Sequence, residues 1–295
     1  MNSEQQKLQN KVNNMELIKI LFLGDITGRQ GRNAVKAFLA SSENKYDFVI
    51  ANIENASHGF GLTKKNYDDL LISGINCMTS GNHIWDKKDI YEYIDESQEL
   101  VRPINYPSGT HGKGSQIFTV NGEKIGVINI LGRVFMPPID SPWQIASDEI
   151  QRLKEEGVKH IFIDFHAEAT AEKICFAKYI AEEFNTPQNA IVKGFFGTHT
   201  HVQTADEQII NGMAYITDAG FCGATDGVIG MEFTTSLKRL STSLPERYEV
   251  AQSKTSQING VEVLINGTMA TQIKRINLIV DNNEFQKEAA IDTGG

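Results

Sequence analysis

The stretch Ile18-Lys19-Ile20-Leu21-Phe22-Leu23-Gly24-Asp25 sets the reading of the chain. From Ile18 to Leu23 it is an almost unbroken apolar run, the pattern of a short strand covered on both faces, and it stops at Gly24-Asp25. Arg29 to Ser42 follows, with Ala34, Ala37 and Phe38 at helical spacing. The alternation then repeats. Phe48 to Ile53 reads as a second buried strand, Lys64 to Ile72 as a helix, Asn76 to Thr79 as a third strand and Asp86 to Ile94 as another helix. Strand and helix alternating in this way predict a layered α/β fold.

Beyond Pro103 and Pro107 the texture changes. Gln116 to Val120 and Lys124 to Leu131 are β-rich and are separated by Asn121-Gly122, a type I′ hairpin signal, so this part of the sheet is antiparallel. Ser147 to Glu156 reads as a helix, His160 to Phe165 as a buried strand and Glu168 to Phe184 as a helix rich in Ala and Glu. From Ile191 onward strands dominate, with Asn211-Gly212, Asn259-Gly260 and Asn266-Gly267 as turn candidates and antiparallel strands closing the chain over Thr271 to Val280. No repeat or Pro/Ser-rich linker interrupts this. One domain over residues 15–281 is expected, flanked by tails at 1–14 and 282–295.

The chain has 295 residues, 40% of them apolar, enough for a substantial core and too apolar for a disordered tail. Its formal charge of −9 argues against duplex DNA as a partner, because phosphate neutralisation needs an excess of Lys and Arg. No run approaches the roughly 18 to 20 apolar residues of a membrane span. Met1 to Asn14 lacks the apolar core of a signal peptide. Cys77, Cys175 and Cys222 form no C-x-x-C pair, and a reducing cytoplasm is the expected location.

The polar residues that could carry chemistry share one position: each lies just past the carboxyl end of an apolar run. They are Asp25, Glu54-Asn55, Asn82-His83, His166, and His199 with His201. Ligands of layered α/β folds bind outside the carboxyl ends of the strands, so these clusters are expected to converge. Singly, each has an ordinary explanation: Asp25 as a helix N-cap, Asn82-His83 as a turn, His166 as a core histidine. His199 and His201 carry more weight, because residues two apart in an extended segment point to the same side. The donors are oxygen and imidazole with no thiolate, a set suited to Mn, Fe or Zn, and they outnumber what one ion with an open position can use. Two metals sharing a carboxylate would account for them and would serve phosphate-ester hydrolysis.

Taken together, Gly24-Asp25, Glu54-Asn55, Gly81-Asn82-His83, His166 and Gly197-Thr198-His199-Thr200-His201 resemble the calcineurin-like metallophosphoesterase superfamily. Phe-Leu-Gly-Asp at 22–25, Asn-Ile-Glu-Asn at 52–55, Gly-Asn-His-Ile-Trp at 81–85, Asp-Phe-His-Ala-Glu at 164–168 and Tyr-Ile-Thr-Asp-Ala-Gly at 215–220 look like its YmdB branch of cyclic-nucleotide phosphodiesterases. The likeness spans about Met15 to Val280. It implies a four-layer α/β/β/α sandwich, two mixed sheets flanked by helices, with two divalent or mixed-valence metal ions at the strand ends. Asp25 and His201 would hold one ion, Asn82, His166 and His199 the other, with Glu54 bridging and Asn55 a further ligand or near neighbour. Thr27 stands where the wider superfamily has His, and Glu54 where it has Asp. A site poorer in nitrogen favours Fe or Mn over Zn.

The implied reaction is hydrolysis of 2′,3′- or 3′,5′-cyclic nucleotides by hydroxide held between the ions, with His83 as the acid that protonates the leaving alkoxide. A phosphomonoesterase or RNA-end nuclease could use the same centre, and a non-catalytic nucleotide sensor is the alternative of another class. A homo-oligomer is compatible with all three. Among other residues, His58 in its Gly-rich loop reads as a flexible rim, and Arg29 and Arg32 as a solvated helix face. His111 and His160 have no partners at ligand spacing. The spacing of Gly24, Gly28 and Gly31 does not fit a dinucleotide loop.

Overall fold

The computed structural model describes residues 17–41 and 46–282. In chain order these form β1 (Leu17–Leu23), β2 (Asp25–Ile26), α1 (Gly28–Ala40), β3 (Phe48–Asn52), α2 (Lys64–Ile72) and β4 (Cys77–Thr79). Then come β5 (Ser115–Val120), β6 (Glu123–Leu131), α3 (Pro142–Glu155), β7 (His160–His166), α4 (Thr170–Phe184), β8 (Asn185–Thr186), β9 (Asn189–Ala190) and β10 (Val192–Thr198). The chain closes with β11 (Gln208–Ile210), β12 (Met213–Ile216), β13 (Phe221–Ala224), α5 (Phe233–Thr242), β14 (Thr255–Asn266) and β15 (Met269–Asp281). The expected tails, 1–14 and 282–295, lie outside the described residues except for Asn282, which donates its backbone N–H to Lys254 O at 2.9 Å.

β1 explains the layering. Ile18, Ile20 and Phe22 face one side and pack with Phe162, Phe196 and Ile216 of a second sheet, while Leu21 and Leu23 face the other side and pack on Ala34, Val35 and Leu70 of α1 and α2. Both faces of the strand are apolar because both are covered. In the first sheet β1 runs parallel to β3, β3 parallel to β4, and β14 antiparallel to β1; β13 and β1 share one edge of β14, with β15 on its other edge. The second sheet has the order β11-β12-β10-β7-β6-β5, parallel through its centre and antiparallel at both edges. Its outer face is covered by Ile150 and Leu153 of α3 and Phe176 and Ile180 of α4. The architecture is the expected α/β/β/α sandwich with two mixed sheets. No helix among the described residues is long and apolar enough to cross a membrane.

Two expected secondary-structure features are absent among the described residues. Asp86 to Ile94 is not an α-helix: a 3₁₀ turn at Lys88–Glu92 sits in a run of turns, with Ile90 N bonded to Lys87 O at 3.2 Å. Ile90 and Ile94 are both buried, which produces helical spacing, but Trp85 stacks on Tyr91 with ring centroids 5.4 Å apart and the chain follows that contact. Asn259-Gly260 is not a turn either. Both residues lie inside β14, where a Cβ on Gly260 would sit 2.3 Å from Phe22 O, so the glycine serves close strand approach. Asn121-Gly122 and Asn211-Gly212 do form turns, all four residues having positive φ. Gly260→Ala should therefore lower stability by about 1–3 kcal/mol, as overpacking does. Urea unfolding monitors this, and a wild-type midpoint would contradict the close-approach assignment.

Candidate metal centre

The carboxyl ends of β1, β3, β4, β7 and β10 meet at one edge of the sandwich. Asp25 follows β1 and is fully buried; its N–H is donated to Gly220 O at 3.0 Å. Glu54 follows β3 and is 1% exposed. Its Oε1 lies 3.0 Å from His166 Nε2, and its Oε2 accepts the His83 N–H at 2.9 Å. Gly81, after β4, has no room for a side chain: a Cβ would come within 2.3 Å of Glu54 Oε2 and 2.4 Å of His166 Nε2. His166 ends β7, and its Nε2 lies 3.0 Å from His199 Nδ1. The donor atoms of Glu54, His166 and His199 all lie within 4.8 Å of one another.

His199 and His201 reach this point differently from the expectation. They are not alternate residues of a strand: both have left-handed backbones, with φ of 101° and 64°. Such conformations cost on the order of 1–3 kcal/mol each and persist only where the surroundings enforce them. Here Asp218 enforces them. Its Oδ2 accepts the Thr200 N–H at 3.1 Å, the Thr200 hydroxyl at 2.7 Å and the Lys173 ammonium at 2.7 Å, with Lys173 and Asp218 each 1% exposed. The His199 N–H is donated to Asp25 Oδ2 at 3.2 Å. His201 Nδ1 donates to Ile229 O at 2.8 Å, which leaves its Nε2 lone pair facing Asp25 Oδ1 at 3.8 Å.

The tautomer of His166 is set the same way. The Thr198 hydroxyl donates to Asp164 Oδ1 at 2.7 Å and so accepts from His166 Nδ1 at 2.8 Å, which turns Nε2 toward Glu54 Oε1 and His199 Nδ1. Asn55 Nδ2 lies 3.2 Å from Glu54 Oε1 and 3.1 Å from His201 Nε2. Asn82 is half-buried. His83 places its ring beside Phe60, centroids 4.9 Å apart, with Nδ1 2.9 Å from Asp86 Oδ2.

The electrostatics are those of a site built for positive charge. Burial raises the Asp25 carboxyl. Burial also opposes ionisation of Glu54, but His166 and the His83 N–H outweigh it and hold Glu54 well below the usual carboxylate range. His166 is penalised by burial yet pushed up to about 9 by Glu54, Asp25 and Asp164; His199 is pushed down to about 3 by burial and by His166. Two buried oxygens, Asp25 Oδ1 and Asn82 Oδ1, have no hydrogen-bond partner. Buried polar atoms are rarely left so, and both belong to residues expected to ligate a metal. The residues present therefore fit a cation: unpartnered oxygens, ionised Glu54 and the inward ring nitrogens of His166, His199 and His201 face one another.

Several contributors escaped the sequence reading. Asp164 is two residues before His166 on a strand and shares its side; Asp218 lies just past the carboxyl end of β12. Both could have been found by the rules that found the ligands. Glu168 Oε2, 3.1 Å from His199 Nε2, borders the site. Of the remaining residues, His58 is exposed at the rim, Arg29 is exposed on α1, Arg32 donates to Ala56 O and His111 pairs with Asp95.

The family profile described as YmdB-like protein matches residues 21–276. The chain belongs to the YmdB-like protein family. It is 45% identical over 273 residues to a 2′,3′-cyclic-nucleotide 2′-phosphodiesterase of Bacillus subtilis strain 168, covering 91% of this chain and 99% of that protein. A crystal structure described as a novel phosphatase from Mycoplasma pneumoniae superposes with TM-score 0.82 at 34% identity, covering 94% and 99% of the two chains. A 5′-nucleotidase precursor from Thermus thermophilus, at 12% identity and TM-score 0.51, covers 94% of this chain and 58% of its own, and shares the fold alone. With its relatives named as phosphodiesterase and phosphatase, the chain is a phosphoester hydrolase of this family.

Lys173→Met would leave Asp218 as an unpaired buried charge. It should cost about 3–5 kcal/mol, with the Lys173→Met/Asp218→Asn pair recovering part of the loss. Equal stability of wild type and Lys173→Met in urea would show that this pair does not hold the histidine turn.

Proposed function

We propose that the chain is a dinuclear metal-dependent phosphodiesterase acting on small cyclic nucleotides, with 2′,3′-cyclic nucleotides as the first substrate class. The observation that carries this is the buried, unpartnered Asp25 Oδ1 facing His201 Nε2 beside the Glu54–His166–His199 cluster. The 45% identity to a 2′,3′-cyclic-nucleotide 2′-phosphodiesterase supports the substrate class. Asp25, Glu54 and His201 would hold one ion and Glu54, Asn82, His166 and His199 the other. Turning the Asn55 amide would offer its Oδ1 toward the same groups its Nδ2 now meets. The first set contains one imidazole, and this oxygen-rich composition favours iron or manganese over zinc. Cations there supply an activated water and positive charge opposite the phosphoryl oxygens.

The chain's own contribution lies in orientation. Ile229 O and Thr198 fix which nitrogens of His201 and His166 face inward, and Asp218 sets the backbone that carries His199. His83 is held by its backbone through Glu54 and by Nδ1 through Asp86, so its Nε2 is free to meet substrate. We assign it the role of acid to the leaving alkoxide. The free thiols of Cys77, Cys175 and Cys222 fit a cytoplasmic enzyme.

His83→Ala should lower kcat for 2′,3′-cyclic AMP by about 10²–10⁴-fold while metal affinity is retained. Loss of metal with the ring would reject the acid role and make His83 a ligand. The same protein should hydrolyse bis-p-nitrophenyl phosphate faster than p-nitrophenyl phosphate, and the reverse preference would favour a phosphomonoesterase.

A further inference from the structure

β7 and β10 carry the centre at their carboxyl ends; at their amino ends they border a cavity of about 590 Å³ between the two sheets and the last turns of α3 and α4. His160 opens β7 and His166 closes it, so the cavity lies about 20 Å from the centre at 3.3 Å per strand residue. The volume falls within the roughly 300–1,000 Å³ of ligand sites.

What lines the cavity is incompletely satisfied. Lys193, 1% exposed, donates two of its three ammonium hydrogens, to Lys159 O at 3.1 Å and to Ala190 O, and keeps the third. His160, 4% exposed, has no partner at Nδ1. Its Nε2 lies 3.6 Å from Glu123 Oε2, beyond hydrogen-bond reach, and that oxygen is also unpartnered, while Glu123 Oε1 pairs with Lys159 at 2.9 Å. Burial, Lys193 and Lys159 push His160 down to about 4, so it is a neutral hydrogen-bonding group at physiological pH. Lys154, Lys159 and Lys193 outnumber the Glu123 carboxylate in this concavity, on a chain of net charge −9. Between the polar groups the lining is apolar, from Val158, Phe184, Ile191 and Ile265.

We propose that this cavity is a second ligand site, taking a small phosphorylated molecule of mononucleotide size. Lys154 at the exposed mouth and the third ammonium hydrogen of Lys193 would meet its phosphate, and the apolar wall its body. Lysine is an apt phosphate ligand because a point charge does not demand planar geometry. The apolar wall of Val158, Phe184, Ile191 and Ile265 favours an organic phosphate over a bare inorganic anion. This inference does not depend on the reaction at the metal centre.

Equilibrium dialysis of the full-length holoenzyme with 5′-AMP, ribose 5-phosphate and inorganic phosphate tests it. The expected result is a binding equivalent for 5′-AMP or ribose 5-phosphate that Lys154→Glu weakens by at least about tenfold, or 1.4 kcal/mol, without changing turnover. Lys193→Met should abolish that equivalent, and Lys154→Glu, a change at an exposed position, serves if Lys193→Met fails to fold. Equal binding of the two organic phosphates identifies a sugar phosphate as sufficient, whereas preference for 5′-AMP identifies a nucleotide. If Lys154→Glu leaves the binding of all three probes unchanged, or only inorganic phosphate binds, the proposal is overturned.

Discussion

Asp25 and Glu54 place two carboxyl groups side by side at 0% and 1% exposure, and the rest of the site is arranged around that burden. Removing a carboxylate from water costs several kcal/mol even in a relaxed protein, and direct hydrogen bonds offset only part of it. Glu54 has the His83 N–H, Asn55 and His166; Asp25 Oδ2 has the His199 N–H; Asp25 Oδ1 has nothing. The inward lone pairs of His199 and His201 add to the electron-rich surface instead of relieving it. A positive charge bound among these groups resolves the imbalance, and this is the physical content of the metal assignment.

Precision at the centre is supplied from one layer further out. His166 is oriented through Thr198 and Asp164, His201 through Ile229 O, and His199 through a turn that Asp218 and Lys173 hold. Asp164 also accepts from Asn52 and Thr79, so β3, β4, β7 and β10 are tied together at the strand ends. Thr198, Asp164, Asp218 and Lys173 are all buried. They set the tautomers and backbone angles that make the inner residues useful.

Much of this was legible in the chain. Unbroken apolar runs such as Ile18 to Leu23 identify strands covered on both faces, and the polar residue after each run marks the edge where the site forms. That single rule brings Asp25, Glu54, His166, His199 and His201 together without any knowledge of pairing. It also applies to Asp218, which lies past β12 but looks like an ordinary turn residue until its partner Lys173, 45 positions earlier, is seen to be buried with it. Other features depend on long-range approach and leave no local trace. Gly260 resembles a turn residue, yet it is needed because β1 passes against β14; Ile90 and Ile94 have helical spacing, yet aromatic stacking by Trp85 draws the segment into turns. His199 and His201 converge through left-handed backbone and not through the strand alternation that their spacing suggests, because the turn depends on Asp218 and not on the histidines themselves.

Elemental analysis of the protein purified without added metal addresses the central claim most directly. The expected result is about two equivalents of iron or manganese per chain, reduced in Asp25→Asn and in His199→Ala, with chelation abolishing hydrolysis of 2′,3′-cyclic AMP. Protein that carries no transition metal and hydrolyses that substrate undiminished in the presence of chelator would contradict it.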